Sequence, residues 1–193
     1  MSYRTVLMIA ALAVATSAAA KPRKPPPAPA SAKLCESCHG IDGVATAPGV
    51  PHLDGQIPDN TVDALEKFKL GKRPSTAPQH VDPALTAEEI DALAKYYGAQ
   101  KGQRPEQGTD PAKVAAAETT YNNRCAKCHQ EGGRDSDHDA PLIAGQPLDY
   151  LKAQTTAFVT GKRKFPFLMD EAYQGLTADD LDRLSHYFAA QKP

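Results

Sequence analysis

The apolar residues of this chain recur at helical intervals rather than in strict alternation. Near the middle of the chain they fall at Ile90, Leu93 and Tyr97, the spacing that puts side chains on one helix face. Thr86 precedes this run as a candidate N-cap, and Glu89 follows it three residues later. The pattern predicts an amphipathic helix.

The end of the chain carries the same pattern, with Leu181, Leu184 and Phe188 behind the N-cap pair Thr177 and Asp180. Further helices are predicted in VDALEKFKL at 62–70, in LDYLKAQTTAFVT at 148–160 and in PAKVAAAETTYNNR at 111–124. A glycine stands just past each of the first two, where helices commonly end. No segment alternates as a strand would, so the predicted fold class is all-α.

Most of the sequence is written twice. CESCH at 35–39 recurs as CAKCH at 125–129, and GKR at 71–73 recurs at 161–163, both at an offset of 90 residues. The terminal helices, 85–101 and 176–192, match at an offset of 91, so one residue was gained or lost between these landmarks. We predict two homologous tandem domains, 33–97 and 112–193, joined by a polar linker at 98–111.

The N-terminus predicts export. Residues 1–20 have a basic Arg4, an apolar run and small residues placed for cleavage after Ala20, which is typical of a signal peptide. The apolar run is shorter than the roughly 20 residues that span a bilayer, with an uncleaved anchor as the alternative. Residues 21–32 form a Pro-rich tail, either a semi-rigid spacer or a leader without a role. We therefore expect a periplasmic protein with no membrane span in the mature chain.

Charge excludes one class of partner. The chain has 22 basic and 23 acidic side chains, and loss of Arg4 with the signal peptide changes the net charge from −1 to −2. Nothing in this balance indicates nucleic-acid binding.

Each domain contains a CxxCH motif. Four cysteines in an exported protein are compatible with disulfides, a thiol redox site or zinc, but those interpretations leave the adjacent histidine unused. Covalent haem attachment uses both cysteines and the histidine of the motif, because the two thiols form thioethers with the haem and the histidine binds its iron. The predicted cofactors are two covalently bound haem c groups, attached through Cys35, Cys38, Cys125 and Cys128, with His39 and His129 as proximal ligands.

Haem would also complete the core of each small domain. Domains of about 70 to 80 residues bury little apolar area unaided. We expect the following residues to pack on the haems and on one another: Leu53, Leu65, Phe68, Leu93, Ile143, Leu151, Phe158 and Leu184.

The motifs, in order CxxCH, P-x-L/I-x-G-Q, GKR and LTxxDLxxLxxYFAxQ, resemble di-haem class I cytochromes c of the cytochrome c4 type over nearly the whole mature chain. The stretch 125–151 also resembles the cytochrome subunit of flavocytochrome c sulfide dehydrogenase. These resemblances imply two class I domains around a pseudo-two-fold axis that pass single electrons in the periplasm. They further imply that the carbonyls of Pro51 and Pro141 orient the proximal histidines.

Met169 is the predicted sixth ligand of the second haem. It is the only methionine left after signal removal, it lies forty residues beyond His129, and it falls where the family places this ligand. A thioether ligand should give this haem the higher potential.

The first domain has no methionine in the corresponding loop. Met169 maps to Gln79 or Pro78, and His80 lies forty-one residues beyond His39. We predict His39/His80 ligation, with an open iron or one bound by lysine or water as the alternative. His52 is expected on the proximal side, and His138 and His186 are expected to be exposed.

Three functions remain open on this basis. The first is an independent electron shuttle between redox proteins, and the second is the electron-accepting subunit of a flavocytochrome c sulfide dehydrogenase. The third is an enzyme of the di-haem peroxidase kind, which needs an open iron. Two basic clusters, Lys69, Lys72 and Arg73 and Lys162, Arg163 and Lys164, could dock acidic redox partners or simply be solvated helix ends.

Overall fold

A computed structural model describes residues 25–137 and 140–193. It contains α1 (Ala32–His39), α2 (Pro58–Lys69), α3 (Ala87–Gly98), α4 (Pro111–Thr120), a short α5 (Gln130–Gly133), α6 (Leu148–Val159), α7 (Phe167–Tyr173) and α8 (Ala178–Ala190). A 3-10 turn lies at Pro78–Val81 and a π turn at Tyr121–Cys125. The described part of the chain has no strand, and the all-α prediction is confirmed.

The helices pack as two units that follow the repeat. In the first, α2 lies against α3, and the apolar core includes Leu85, Leu93 and Tyr97. In the second, α8 packs on both α4 and α6, and its core includes Leu151 and Phe188. Each core contacts a CxxCH cysteine: Cys35 packs against the first core and Cys125 against the second.

The predicted helix ends are present, but the two N-caps differ. Thr177 and Asp180 form a complete capping box, in which each side chain bonds the other residue's backbone N–H. Thr86 accepts a bond from the Glu89 N–H, whereas the Glu89 carboxylate accepts the Ser31 hydroxyl instead. Glu89 therefore ties α3 to the segment before α1.

Two sequence expectations about burial differ from the structure. Ser31 and Ala32, assigned to the Pro-rich tail, are buried in the first domain. His186 was expected to be exposed, but this prediction was wrong: it is buried, and its Nδ1 accepts the Asp110 N–H at 3.0 Å. The reason is that α8 turns this face toward the start of α4. The signal peptide, residues 21–24 of the tail and His138 lie outside the described residues.

The domains meet through a symmetric exchange of hydrogen bonds. The Gln56 amide bonds the N–H and carbonyl of Leu142 at 3.0 and 2.6 Å. Ninety residues later, the Gln146 amide bonds the N–H and carbonyl of His52 at 2.8 and 3.0 Å. Positions 52 and 142 are also ninety residues apart, so this interface has pseudo-two-fold symmetry.

No helix in the described ranges is long and apolar enough to cross a membrane.

Candidate haem sites

The four cysteines are placed as two pairs of free thiols. Cys38 and Cys128 are exposed and Cys35 and Cys125 are half-buried, and none forms a disulfide. Burial raises the pKa of Cys35 and of Cys125 to about 11, so both stay protonated at neutral pH, unlike the thiolate of a thiol redox site. No cluster of three or more His, Cys, Asp or Glu residues forms in the part of the chain that the structure describes. The raised pKa values of these two thiols disfavour a thiol redox site.

His39 is oriented by the loop that follows it. Its Nδ1 lies 2.9 Å from the Pro51 carbonyl oxygen, which fixes the proton on Nδ1 and leaves Nε2 available for a metal. Burial lowers the pKa of His39, while the bond to Pro51 raises it. A neutral imidazole with a free Nε2 is the form that binds iron.

His129 lacks this support. Its Nδ1 is buried without a hydrogen-bond partner, so the expected bond to Pro141 is not made. Burial again lowers the pKa of His129, although Asp137 opposes the effect. The two histidines predicted as proximal ligands therefore differ in the contacts around them.

His80 faces His39 in the first domain. The turn Pro78–Val81 puts the two imidazole centroids 6.1 Å apart, with an angle of 40° between the rings. Phe68 of α2 stacks on His80 at 4.3 Å, and the Ser75 hydroxyl lies 2.6 Å from His80 Nδ1. Burial lowers the pKa of His80 to about 4, and His39 and Arg73 add to the effect.

This separation fits an iron between the rings. Imidazole–metal bonds are about 2 Å long, so a metal bound by two Nε2 atoms would separate the ring centroids by on the order of 6 Å. The contacts to the Pro51 carbonyl and the Ser75 hydroxyl both involve Nδ1, so neither of them occupies Nε2. His52 is not part of this arrangement: it is buried at the domain interface, and its Nδ1 accepts the Ala45 N–H.

The corresponding region of the second domain is aromatic. Phe158 of α6 stacks on Phe165 at 4.9 Å, and Tyr173 of α7 packs against both rings. Met169 lies on α7, half-buried, and this helix contacts the turn that ends at Cys125. Met169 therefore lies on a helix that contacts the segment leading into the second CxxCH motif.

Two arginines supply positive charge near the interface. Arg73 donates to the Tyr150 hydroxyl at 2.9 Å and lies over Phe68, while Arg163 donates to Gln154 at 2.7 Å and lies over Phe158. Burial lowers the pKa of Arg163 to about 10, and the charge of Arg73 contributes. Among the described residues neither arginine has a carboxylate partner, which fits a bound group that carries its own carboxylates, as haem does.

These contacts change the interpretation of the basic clusters. Arg73 and Arg163 bond to neighbouring side chains, and Lys69 donates to the Leu85 carbonyl. Lys72, Lys162 and Lys164 are exposed and remain available to a partner. Sequence periodicity could not separate these groups, because all six lie at or just past the end of a helix.

The sites define a class: a helical protein with one covalent haem site in each of two domains. A cytochrome c family model matches residues 28–97 and 114–192, and the chain belongs to this family. With the two CxxCH pairs, this tandem match supports two covalent haem c groups. The chemistry is transfer of single electrons by a di-haem cytochrome of the cytochrome c4 type.

Similar proteins have the same organisation. The chain is 30% identical to cytochrome c4 of Azotobacter vinelandii over 149 residues, which cover 68% of this chain and 70% of that one. It is 29% identical to a thiosulfate dehydrogenase electron acceptor of Stutzerimonas stutzeri over 171 residues, 82% and 79% of the two chains. Reduced cytochrome c4 from Pseudomonas stutzeri superposes with a TM-score of 0.74 at 25% identity, covering 84% of this chain and 96% of that one.

Proposed function

We propose that the protein is a periplasmic electron carrier with two unlike haems, His39/His80 in the first domain and His129/Met169 in the second. The observation that carries the proposal is the 6.1 Å separation of the His39 and His80 rings. When bound, haem iron supplies one-electron redox chemistry. The chain holds each group through two thioethers, and His39 and His80 keep their protons on Nδ1.

Unlike axial ligands give the two domains unlike potentials. Methionine ligation raises a haem potential relative to bis-histidine ligation, so the second domain is the better electron acceptor. Electrons entering the first domain then move downhill into the second. Because both axial positions are filled by side chains, the proposal makes the protein an electron carrier rather than a peroxidase.

The test replaces His80 by alanine and follows electron paramagnetic resonance and carbon monoxide binding. We expect loss of one bis-histidine low-spin signal and a gain of carbon monoxide binding at one haem. Gln79→Ala is the matched control, because Gln79 is the residue that aligns with Met169 at an offset of 90. An unchanged low-spin spectrum in His80→Ala would contradict His80 ligation.

A second candidate function is the electron-accepting partner of a sulfur-compound dehydrogenase. It is supported by the similarity to a thiosulfate dehydrogenase electron acceptor over 82% of this chain. The flavocytochrome c alternative belongs to the same class, with sulfide as the reductant. The exposed Lys72, Lys162 and Lys164 would favour an acidic docking surface on either enzyme.

Stopped-flow reduction distinguishes these partners. The oxidised protein is mixed with thiosulfate dehydrogenase and thiosulfate, or with a flavoprotein sulfide dehydrogenase and sulfide. Each mixture has a control without the enzyme. Rapid, salt-sensitive reduction in one mixture identifies the partner, whereas slow reduction in both supports a general shuttle.

Export is also part of the proposal. It rests on the pattern of residues 1–20 and the small residues before Lys21. Mass spectrometry of the protein isolated from a periplasmic fraction should give a mature N-terminus at Lys21. Retention of residues 1–20 on a membrane would instead support the uncleaved anchor.

A further inference from the structure

Arg104, in the segment between α3 and α4, is buried although the segment is polar. Its side chain is 3% exposed, and that of Asp54, its ion-pair partner, is 5% exposed. Arg104 Nε donates to the Asp54 carboxylate at 3.0 and 3.3 Å. Nearby, a Cβ added to Gly102 would lie 2.0 Å from a Val44 methyl group, so the segment lies tightly against the first domain.

The same guanidinium binds equivalent backbone positions in both domains. Nη2 donates to the Asp54 carbonyl at 2.8 Å, and Nη1 donates to the Ala144 carbonyl at 2.6 Å. Residues 54 and 144 correspond at the repeat offset of 90. Arg104 therefore bridges the two halves of the pseudo-two-fold interface, next to the Gln56 and Gln146 exchange.

Burial disfavours the charged form of both members of this ion pair. Burial raises the pKa of Asp54 even though Arg104 lowers it, and burial lowers the pKa of Arg104 even though Asp54 raises it. In both groups desolvation is the largest cause of the shift in pKa. Such pairs can often be replaced by apolar residues without loss of stability, yet their directional bonds can specify one arrangement.

We propose that Arg104 is a positioning residue for electron transfer between the two haems. Its planar guanidinium group bonds both domains, which fixes the orientation of the first domain against the second. The separation and the angle of the two haems are fixed with it. The inference rests on the two-haem architecture and not on the identity of the sixth ligands.

The test uses the full-length holoprotein and three variants. Asp54→Leu/Arg104→Met replaces the pair by apolar side chains, and Arg104→Met leaves Asp54 buried alone. Lys101→Met is the control for Arg104→Met, because it also removes one positive charge, but at an exposed residue of the same segment. For each variant, guanidinium unfolding, both haem potentials and the rate of inter-haem equilibration after flash reduction are measured, with residual dipolar couplings for domain orientation.

We expect the double variant to keep the unfolding midpoint and both potentials while inter-haem equilibration slows on the order of tenfold or more, because small misplacements cost geometry-dependent steps heavily. Dipolar couplings should report a changed domain angle. Arg104→Met should unfold earlier than the double variant, and Lys101→Met should match the wild type. A rate in the double variant equal to that of Lys101→Met overturns the proposal. Failure of the double variant to fold also overturns it, because the pair would then be needed for stability.

Discussion

The two domains share one scaffold and differ in the segment that follows the GKR motif. Phe68 and Phe158 occupy the same helical position, and an arginine of the GKR motif lies over each ring, at 4.7 and 4.5 Å. In the first domain Phe68 stacks on His80, whereas in the second Phe158 stacks on Phe165. Duplication therefore kept the helices and changed the loop, which is where ligand identity can vary without a cost to the core.

The largest expected effect comes from making the second domain like the first. Met169→His should lower the second potential toward the first, because axial ligands set potentials within a range of about 0.8 V. Spectroelectrochemical titration should then give two midpoint potentials that lie closer together than in the wild type. The near-infrared sulfur-to-iron band should disappear. Leu168→Ala, at an exposed neighbour, is the control. Persistence of the band would contradict Met169 ligation.

The second comparison is between the stacked phenylalanines. Phe158 is 5% exposed inside an aromatic cluster, so Phe158→Ala should lower the free energy of unfolding by about 3–5 kcal/mol. Phe68 is only half-buried, and Phe68→Ala should cost less stability but speed carbon monoxide binding at the first haem, because His80 loses its stacking partner. Guanidinium unfolding and carbon monoxide kinetics measure the two effects. If Phe68→Ala and Phe158→Ala lowered the free energy of unfolding equally, the proposed difference between the two phenylalanines would be contradicted.

A smaller effect is expected from Ser75. Its hydroxyl accepts the Ala77 N–H at 3.0 Å and lies 2.6 Å from His80 Nδ1. If His80 binds iron through Nε2, its Nδ1–H donates to this hydroxyl, and Ser75→Ala removes an acceptor that makes the bound imidazole more basic. The first potential should rise while the second stays unchanged, and Ser75→Thr should restore it. Thr76→Ala is the neighbouring control. A shift in both potentials would indicate a general change in the fold.

The smallest effect concerns stability at low pH. Hydrogen bonds from Lys113 and Lys152 lower the pKa of Asp182 to about 2, whereas its counterpart Asp91 forms an ion pair with the exposed Lys95. Because the folded pKa is depressed, this stabilisation is present above about pH 4 and is lost as the pH falls toward 2. Asp182→Asn should therefore reduce stability at pH 6 more than at pH 2, and Asp91→Asn should change little at either. Urea unfolding at the two pH values measures both.

Local patterns were sufficient for much of this protein. The CxxCH spacing and the helix caps at Thr86 and Thr177 depend on residues within one turn or one helix of each other, and the repeat is visible as the same motifs recurring ninety residues apart. The sequence also singled out His80 from the absence of methionine, and it fell in the structure opposite His39. Its role as a ligand stays a prediction. Ser75 carried no signal of its own, because a serine in a loop has many uses.

The helices and the chemistry of haem attachment could be predicted from the sequence, since both follow from short-range periodicity or from adjacent side chains. The duplication could be predicted too, because the same motifs recur in the same order. Tertiary structure decided the burial of Arg104 against Asp54, the pairing of Gln56 with Leu142, and the burial of His186 under α4. Arg104 and Asp54 lie fifty residues apart and Gln56 and Leu142 eighty-six, and no local pattern encodes such contacts. A polar side chain in a linker is ordinarily solvated, and only the meeting of two packed domains supplied the carbonyls and carboxylate that allow it to be buried.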